Sequence, residues 1–128
     1  MSSRLNEVTL RVRDLSRSIT FYRDVLGLAI GAGDEGSSHF EAFWGTWSEA
    51  GSDLLMLIIR AADADNPPSV TEIGFTVVDL EATHERVLQS GASVIESPVE
   101  KPWGQQGRYQ DPDGNVVNVS QAPRHEGT

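Results

Sequence analysis

Two glutamates stand at the same place in two copies of one short pattern. Glu7-Val8-Thr9-Leu10-Arg11-Val12-Arg13-Asp14-Leu15 returns as Glu72-Ile73-Gly74-Phe75-Thr76-Val77-Val78-Asp79-Leu80. Such a carboxylate pair can hold a basic group, share a cation or take a proton from a ligand. Strand alternation places Thr9 and Arg11 on the side of Glu7, and Gly74 and Thr76 on the side of Glu72. Two carboxylates buried together repel unless a cation lies close, and Arg11 is the internal candidate. Two readings stand side by side: a Glu–Arg pair that closes the site, or a polar floor that receives a basic group or supplies a general base. Trp44, Trp47 and Trp103 add rigid aromatic surface, which suits a small-molecule pocket and equally suits a core or a dimer contact.

Other chemistries lack their residues. There is no cysteine, which removes disulfides, thiolate metal ligands and thiol nucleophiles and makes a cytoplasmic protein the expectation. No phosphate-cradling glycine loop precedes a helix, and no nucleophile elbow is present. A net charge of −9 argues against nucleic-acid binding and agrees with either plain solubility or attraction for a cationic small molecule. No apolar run approaches the roughly 20 residues that span a bilayer, and no signal peptide opens the chain, so no membrane partner is expected.

The elements that must position these residues follow from periodicity. The chain of 128 residues is expected to form one domain: module one at about 5–60, a linker at 61–69, module two at about 70–122 and a polar tail at 123–128. Residues 5–13 alternate as a strand; Asp14 caps a helix with Leu15, Ile19, Tyr22 and Leu26 on one stripe, and Gly27 ends it. Strands are expected at about 28–33, 39–44 and 53–60, with turns at Gly33–Gly36 and Glu49–Ser52. Module two repeats the order, with a strand at 71–78, a helix at 80–90 ending at Gly91, and a strand at 92–97. A loop containing Pro98, Pro102 and Gly104 then leads to strands near 106–110 and 115–121, joined by Asp111-Pro112-Asp113-Gly114-Asn115 as a tight turn. Each half reads βαβββ, an α+β arrangement.

That order and these segments resemble the vicinal oxygen chelate superfamily, which includes glyoxalase I, the bleomycin resistance proteins and the extradiol dioxygenases. The resemblance rests on residues 12–28, with Phe21-Tyr22 and Leu26-Gly27-Leu28, on residues 72–80, and on Pro102-Trp103-Gly104 followed by Asp111–Asn115. It implies two βαβββ modules forming a curled mixed-sheet cup, a homodimer, and, in metal-using relatives, one divalent ion held by the first and fourth strand of each module. Matching motif to motif places those ligands at Glu7, Met56, Glu72 and Asn118. Relatives with metal mostly carry His, Gln or Glu there. A set without imidazole and with a thioether is poor for a transition metal, so no cofactor is expected; the alternative is one weakly held divalent ion. His39, His84 and His125 match none of the four positions and are expected to be structural or surface residues.

The resulting expectation is a small-molecule-binding protein of the glyoxalase and bleomycin-resistance type that sequesters an organic or basic ligand. Its ligand-binding residues are expected to be Glu7, Arg11, Trp44, Met56, Glu72, Trp103 and Asn118. The alternative is a lyase, isomerase or epimerase with Glu7 or Glu72 as base.

Overall fold

The computed structural model describes residues 5–33, 36–45, 47, 48, 51, 52 and 54–121. The predicted turn residues Asp34, Glu35, Glu49 and Ala50, and the tail at 123–128, lie outside them. The chain divides into two compact units, Met1–Asp24 with Leu28–Ser69, and Val25–Gly27 with Val70–Thr128.

In the first unit, β1 (Glu7–Val12) alternates as expected, with Leu10 and Val12 buried and Glu7 exposed. The carboxylate of Asp14 accepts the Arg17 N–H at 3.1 Å and starts α1 (Leu15–Ile19). One regular helix to Leu26 is what the apolar stripe predicts. Instead the backbone widens into a π-helical segment over Thr20–Val25. Phe21 and Tyr22 are adjacent in sequence yet both buried, their rings edge to face at 5.2 Å. The π-helical segment thus carries both rings on the buried side. Gly27 ends the segment with φ 81°.

The strands β2 (Gly31–Gly33), β3 (Gly36–Trp44) and β6 (Leu55–Ala61) join β1 in one mixed sheet ordered β1-β6-β3-β2, with β1 and β6 parallel. A two-stranded ribbon, β4 (Trp47–Ser48) with β5 (Gly51–Ser52), is an addition to the predicted βαβββ order. The linker-like stretch 61–69 is tied down: Ser69 Oγ accepts the Arg11 N–H at 2.8 Å, and the Ser69 N–H donates to the Arg11 carbonyl at 2.9 Å.

The second unit repeats the plan. β7 (Glu72–Thr76), α2 (Leu80–Ser90), β8 (Val94–Lys101), β9 (Gly104–Gln110) and β10 (Val116–Gln121) give the order β7-β10-β9-β8, again with the first and last strands parallel. Asp79 caps α2 through the Ala82 N–H at 3.0 Å, and Gly91 closes it at φ 78°. The helix buries Leu80, Thr83 and Val87 against β8, β9 and β10. Arg86 reaches from α2 to donate from Nε to the Val25 carbonyl at 2.8 Å, which ties the Val25–Gly27 segment into this unit.

Pro98, expected in a loop, lies within β8. Proline is tolerated there because β8 is the sheet's edge and its pairing with β9 shifts register between Glu96 and Val99.

Tyr109 is fully buried on β9, with its hydroxyl 3.0 Å from Nδ1 of His84, and burial pushes its phenol up to about 12. The folded phenol thus titrates above the ordinary 10.0 of the unfolded chain. Its contribution is complete below about pH 10 and is lost as pH rises towards 12, because only the unfolded chain gives up the proton in that window. Urea denaturation at about pH 9 and about pH 11 should show a loss of stability that shrinks in Tyr109→Phe. An equal loss in both proteins would contradict this origin.

Candidate functional site

Each four-stranded sheet has one face against its unit's helix, and among the described residues the other face carries no helix of that unit. In the first unit Leu10, Val12, Ala42, Leu57 and Ile59 take the helix side and are buried. Alternation sends Glu7, Thr9 and Arg11 of β1 to the other face. Strand pairing adds Met56, Ile58 and Arg60 of β6 and His39, Glu41 and Phe43 of β3. Three rows result: Arg11–Arg60–His39, Thr9–Ile58–Glu41 and Glu7–Met56–Phe43. Glu7 Oε2 accepts from Thr9 Oγ1 at 3.1 Å, and Arg11 Nη1 donates to the Ala61 carbonyl at 3.4 Å. The Glu–Arg pair anticipated within this strand does not form, since the two residues stand four positions apart along an extended chain.

The corresponding face of the second unit is more strongly linked. Its rows are Glu72–Val116–Gln110, Gly74–Asn118–Arg108 and Thr76–Ser120–Gln106. Asn118 Nδ2 donates to Glu72 Oε2 at 2.9 Å, while its Oδ1 accepts from Arg108 Nε at 3.0 Å. Arg108 Nη2 lies 3.6 Å from Glu72 Oε1. The cation beside a repeated glutamate is therefore Arg108, in the second copy. Beside Arg108 stands Glu96 of β8, whose Oε1 lies 3.6 Å from Lys101 Nζ. Trp103, in the turn between β8 and β9, is 58% exposed, and its indole N–H donates to Gln106 Oε1 at 2.9 Å. A large aromatic surface is thus left exposed, with its N–H tied to a polar residue of β9.

The expected site residues sort as follows. Glu7, Arg11 and Met56 share one face of the first unit. Glu72 and Asn118 share one face of the second; Trp103's partner Gln106 lies on that face one row beyond Asn118 and two rows beyond Glu72. Trp44 does not join them, for it alternates with Phe43 and falls on the side of Ala42. Phe43, 48% exposed and paired with Met56, supplies the aromatic surface there. The two glutamates are exposed rather than buried. Pairing also shows that Glu7 stands opposite Met56 whereas Glu72 stands opposite Val116, so the register counterpart of Asn118 is Ile58. Met56 keeps the face because a shift of two residues preserves it.

Sequence reasoning missed three residues on these faces. His39, 8% exposed, sits with Nε2 at 3.2 Å from Glu41 Oε2, an imidazole oriented by a carboxylate. Arg108 was legible in principle: a hairpin about the Asp111–Asn115 turn that pairs 110 with 116 must also pair 108 with 118. Phe43 was obscured by its aromatic neighbour.

These donors do not fit a divalent metal ion. Both ends of the Asn118 amide are engaged, and a fixed positive charge stands beside Glu72. In the first unit a thioether is the neighbour of Glu7, a soft donor next to a hard one. Among the described residues no group of three His, Cys, Asp or Glu side chains gathers in a way that could hold a metal.

Comparison with known proteins places this fold. The model of the Glyoxalase/Bleomycin resistance protein/Dioxygenase superfamily matches residues 4–119. The chain belongs to this superfamily. Similar proteins include the glutathione transferase FosA of Serratia marcescens, 30% identical over 93% of this chain and 81% of that protein. The virulence protein STM3117 of Salmonella typhimurium is 28% identical over 92% of this chain and 83% of its own length. Among solved structures, TnmS3, an antibiotic binding protein from Streptomyces sp. CB03234, superposes with a TM-score of 0.65 at 24% identity, covering 95% of this chain and 98% of that one. That likeness speaks for the fold, which is the expected pair of βαβββ modules built on two open mixed sheets.

Proposed function

We propose that this superfamily member binds a small organic ligand, with an apolar or aromatic part and a basic or polar group, and does so without a metal ion. The observation that carries the reading is Trp103: an exposed indole whose N–H donates to Gln106, a residue on the same face as Glu72, Asn118 and Arg108. An exposed aromatic ring tied to a face that carries a few directed polar groups supports a ligand site, which combines aromatic surface with a small number of placed polar groups. The proposed ligand-binding residues of the second unit are Glu72, Asn118 and Trp103; on the first unit's own face Glu7, Arg11 and Met56 are proposed as ligand-binding residues in their own right. Net charge −9 and two exposed glutamates favour a basic group on the ligand. An antibiotic binding protein with the same fold supports sequestration as the role. The proposed setting is the cytoplasm, in keeping with a chain free of cysteine, and the described residues contain no helix long and apolar enough to cross a membrane. Self-association as a homodimer completes the proposal. Ile95 and Val99, 44% and 40% exposed on the edge strand β8, offer apolar surface for it, and light scattering at working concentration reads the mass directly.

One observation favours an enzyme as the second reading. His39 with Glu41 is an imidazole beside an orienting carboxylate, an arrangement that suits a general base. FosA, a similar protein named a glutathione transferase, supports this reading. In that reading Glu7 or Glu72 was the expected base, but the Glu72 carboxylate is engaged by Asn118 and Arg108, which favours the dyad.

The test is a fluorescence screen of hydrophobic and basic small molecules, repeated on Glu72→Gln and His39→Gln. Binding by sequestration predicts saturable quenching, no consumption of the ligand, and weakening by about tenfold in Glu72→Gln. Turnover of a bound compound that disappears in His39→Gln would replace this reading with the enzymatic one.

A further inference from the structure

The misfit between this face and a metal ion has a specific cause. Glu72 and Asn118 are the two positions in the second unit where the family resemblance puts metal ligands, and both are held by one residue that the resemblance does not mention. Arg108 donates from Nε to Asn118 Oδ1 at 3.0 Å and brings Nη2 to 3.6 Å from Glu72 Oε1. The placement is built into the sheet. Gly107 and Tyr109 take the buried side of β9, which fixes Arg108 on the other, and the hairpin register sets it directly across from Asn118. A divalent ion bound to both Glu72 and Asn118 would sit about 2–2.5 Å from each oxygen. It would then be crowded against a guanidinium that never deprotonates at physiological pH.

We propose that Arg108 is the resident cation of this face and the residue that determines its metal specificity: it stands beside Glu72, orients Asn118 and shuts divalent ions out. The proposal stands on this geometry and does not depend on which ligand the protein takes. It also separates two properties of the site. Glu72 keeps a carboxylate that is more than half exposed for a ligand's basic group, while the positive charge a metal would bring is supplied by the chain itself.

The experiment follows free Mn²⁺ by electron paramagnetic resonance while it is titrated into the full chain, purified without chelator. Wild type should leave the Mn²⁺ signal unquenched. Arg108→Gln removes the charge and should take up Mn²⁺ at least about tenfold more tightly, in the range over which outer-shell changes alter metal affinity. Arg108→Lys keeps the charge and should behave as wild type. One equivalent of Mn²⁺ bound by wild type and lost in Glu72→Gln would overturn the proposal. So would a folded Arg108→Gln as indifferent to Mn²⁺ as wild type. If Arg108→Gln fails to fold, the Arg108 Nε–H resonance of wild type decides. It should move on Glu72→Gln and stay sharp with equimolar Mn²⁺, whereas broadening by the ion would refute the assignment. A failed ligand screen leaves all of these outcomes readable.

Discussion

Asp111→Ala is expected to cost on the order of 4 kcal/mol of stability, because it breaks a buried network and not a single bond. Asp111 is 5% exposed, and one oxygen accepts the N–H groups of Asp113 and Asn115 at 2.9 and 2.8 Å. The other accepts from Asn115 Nδ2 at 3.0 Å. Asn115, 2% exposed, passes the restraint on by accepting the Thr71 N–H at 2.7 Å through Oδ1. That bond sits one residue before Glu72, where β7 meets β10. The turn therefore does more than reverse the chain: it sets the pairing that brings Glu72 to Asn118. Thermal unfolding should show a fall in melting temperature on the order of 12 °C. Asp111→Asn should lose less, since it keeps one acceptor but turns an amide donor towards another. Equal stability of Asp111→Ala and wild type would show that the network is not what holds the turn.

Gly107→Ala is the second large effect, at about 1–3 kcal/mol. A methyl group at this position would collide with the hydroxyl and ring of Tyr109, which is fully buried and held by His84. Glycine within a strand often marks such a close approach. The neighbour has no flexible end to yield, so β9 would have to shift, and Arg108 with it. Removing the hydroxyl relieves part of the collision. Tyr109→Phe combined with Gly107→Ala should therefore be more stable than the sum of the single changes implies, a coupling that urea denaturation of all four proteins measures. Strict additivity would place the cost elsewhere.

Most of the fold was legible because its signals are local. Asp14 and Asp79 precede Leu15 and Leu80, and each caps its helix as its side chain suggests. Helix α2 runs over Leu80–Ser90 and Gly91 stops it, because its apolar period, cap and glycine all agree. Where local signals conflict, tertiary packing decides. The stripe through Tyr22 and Leu26 does not single out Phe21, which is buried as well in a segment that is π-helical and not regular. Pro98 reads as a loop until the strand is known to be an edge.

The site was less legible, because it depends on phase and register across strands. Phe43 and Trp44 are both aromatic, so alternation alone leaves open which of them faces Met56. The burial of Ala42 settles it in favour of Phe43. Glu72 and Asn118 could be matched to a family pattern, but Arg108 belongs to no such pattern and is found by counting outward from the turn.

The most direct measurement is tryptophan fluorescence of a Trp44→Phe/Trp47→Phe protein, in which Trp103 is the remaining tryptophan. It would be titrated with a panel of hydrophobic and basic small molecules in the presence of EDTA. The account predicts saturable quenching by at least one compound, unchanged by the chelator and weakened in Glu72→Gln. No saturable quenching across the panel, or quenching that EDTA abolishes, would contradict a metal-independent ligand site at this face.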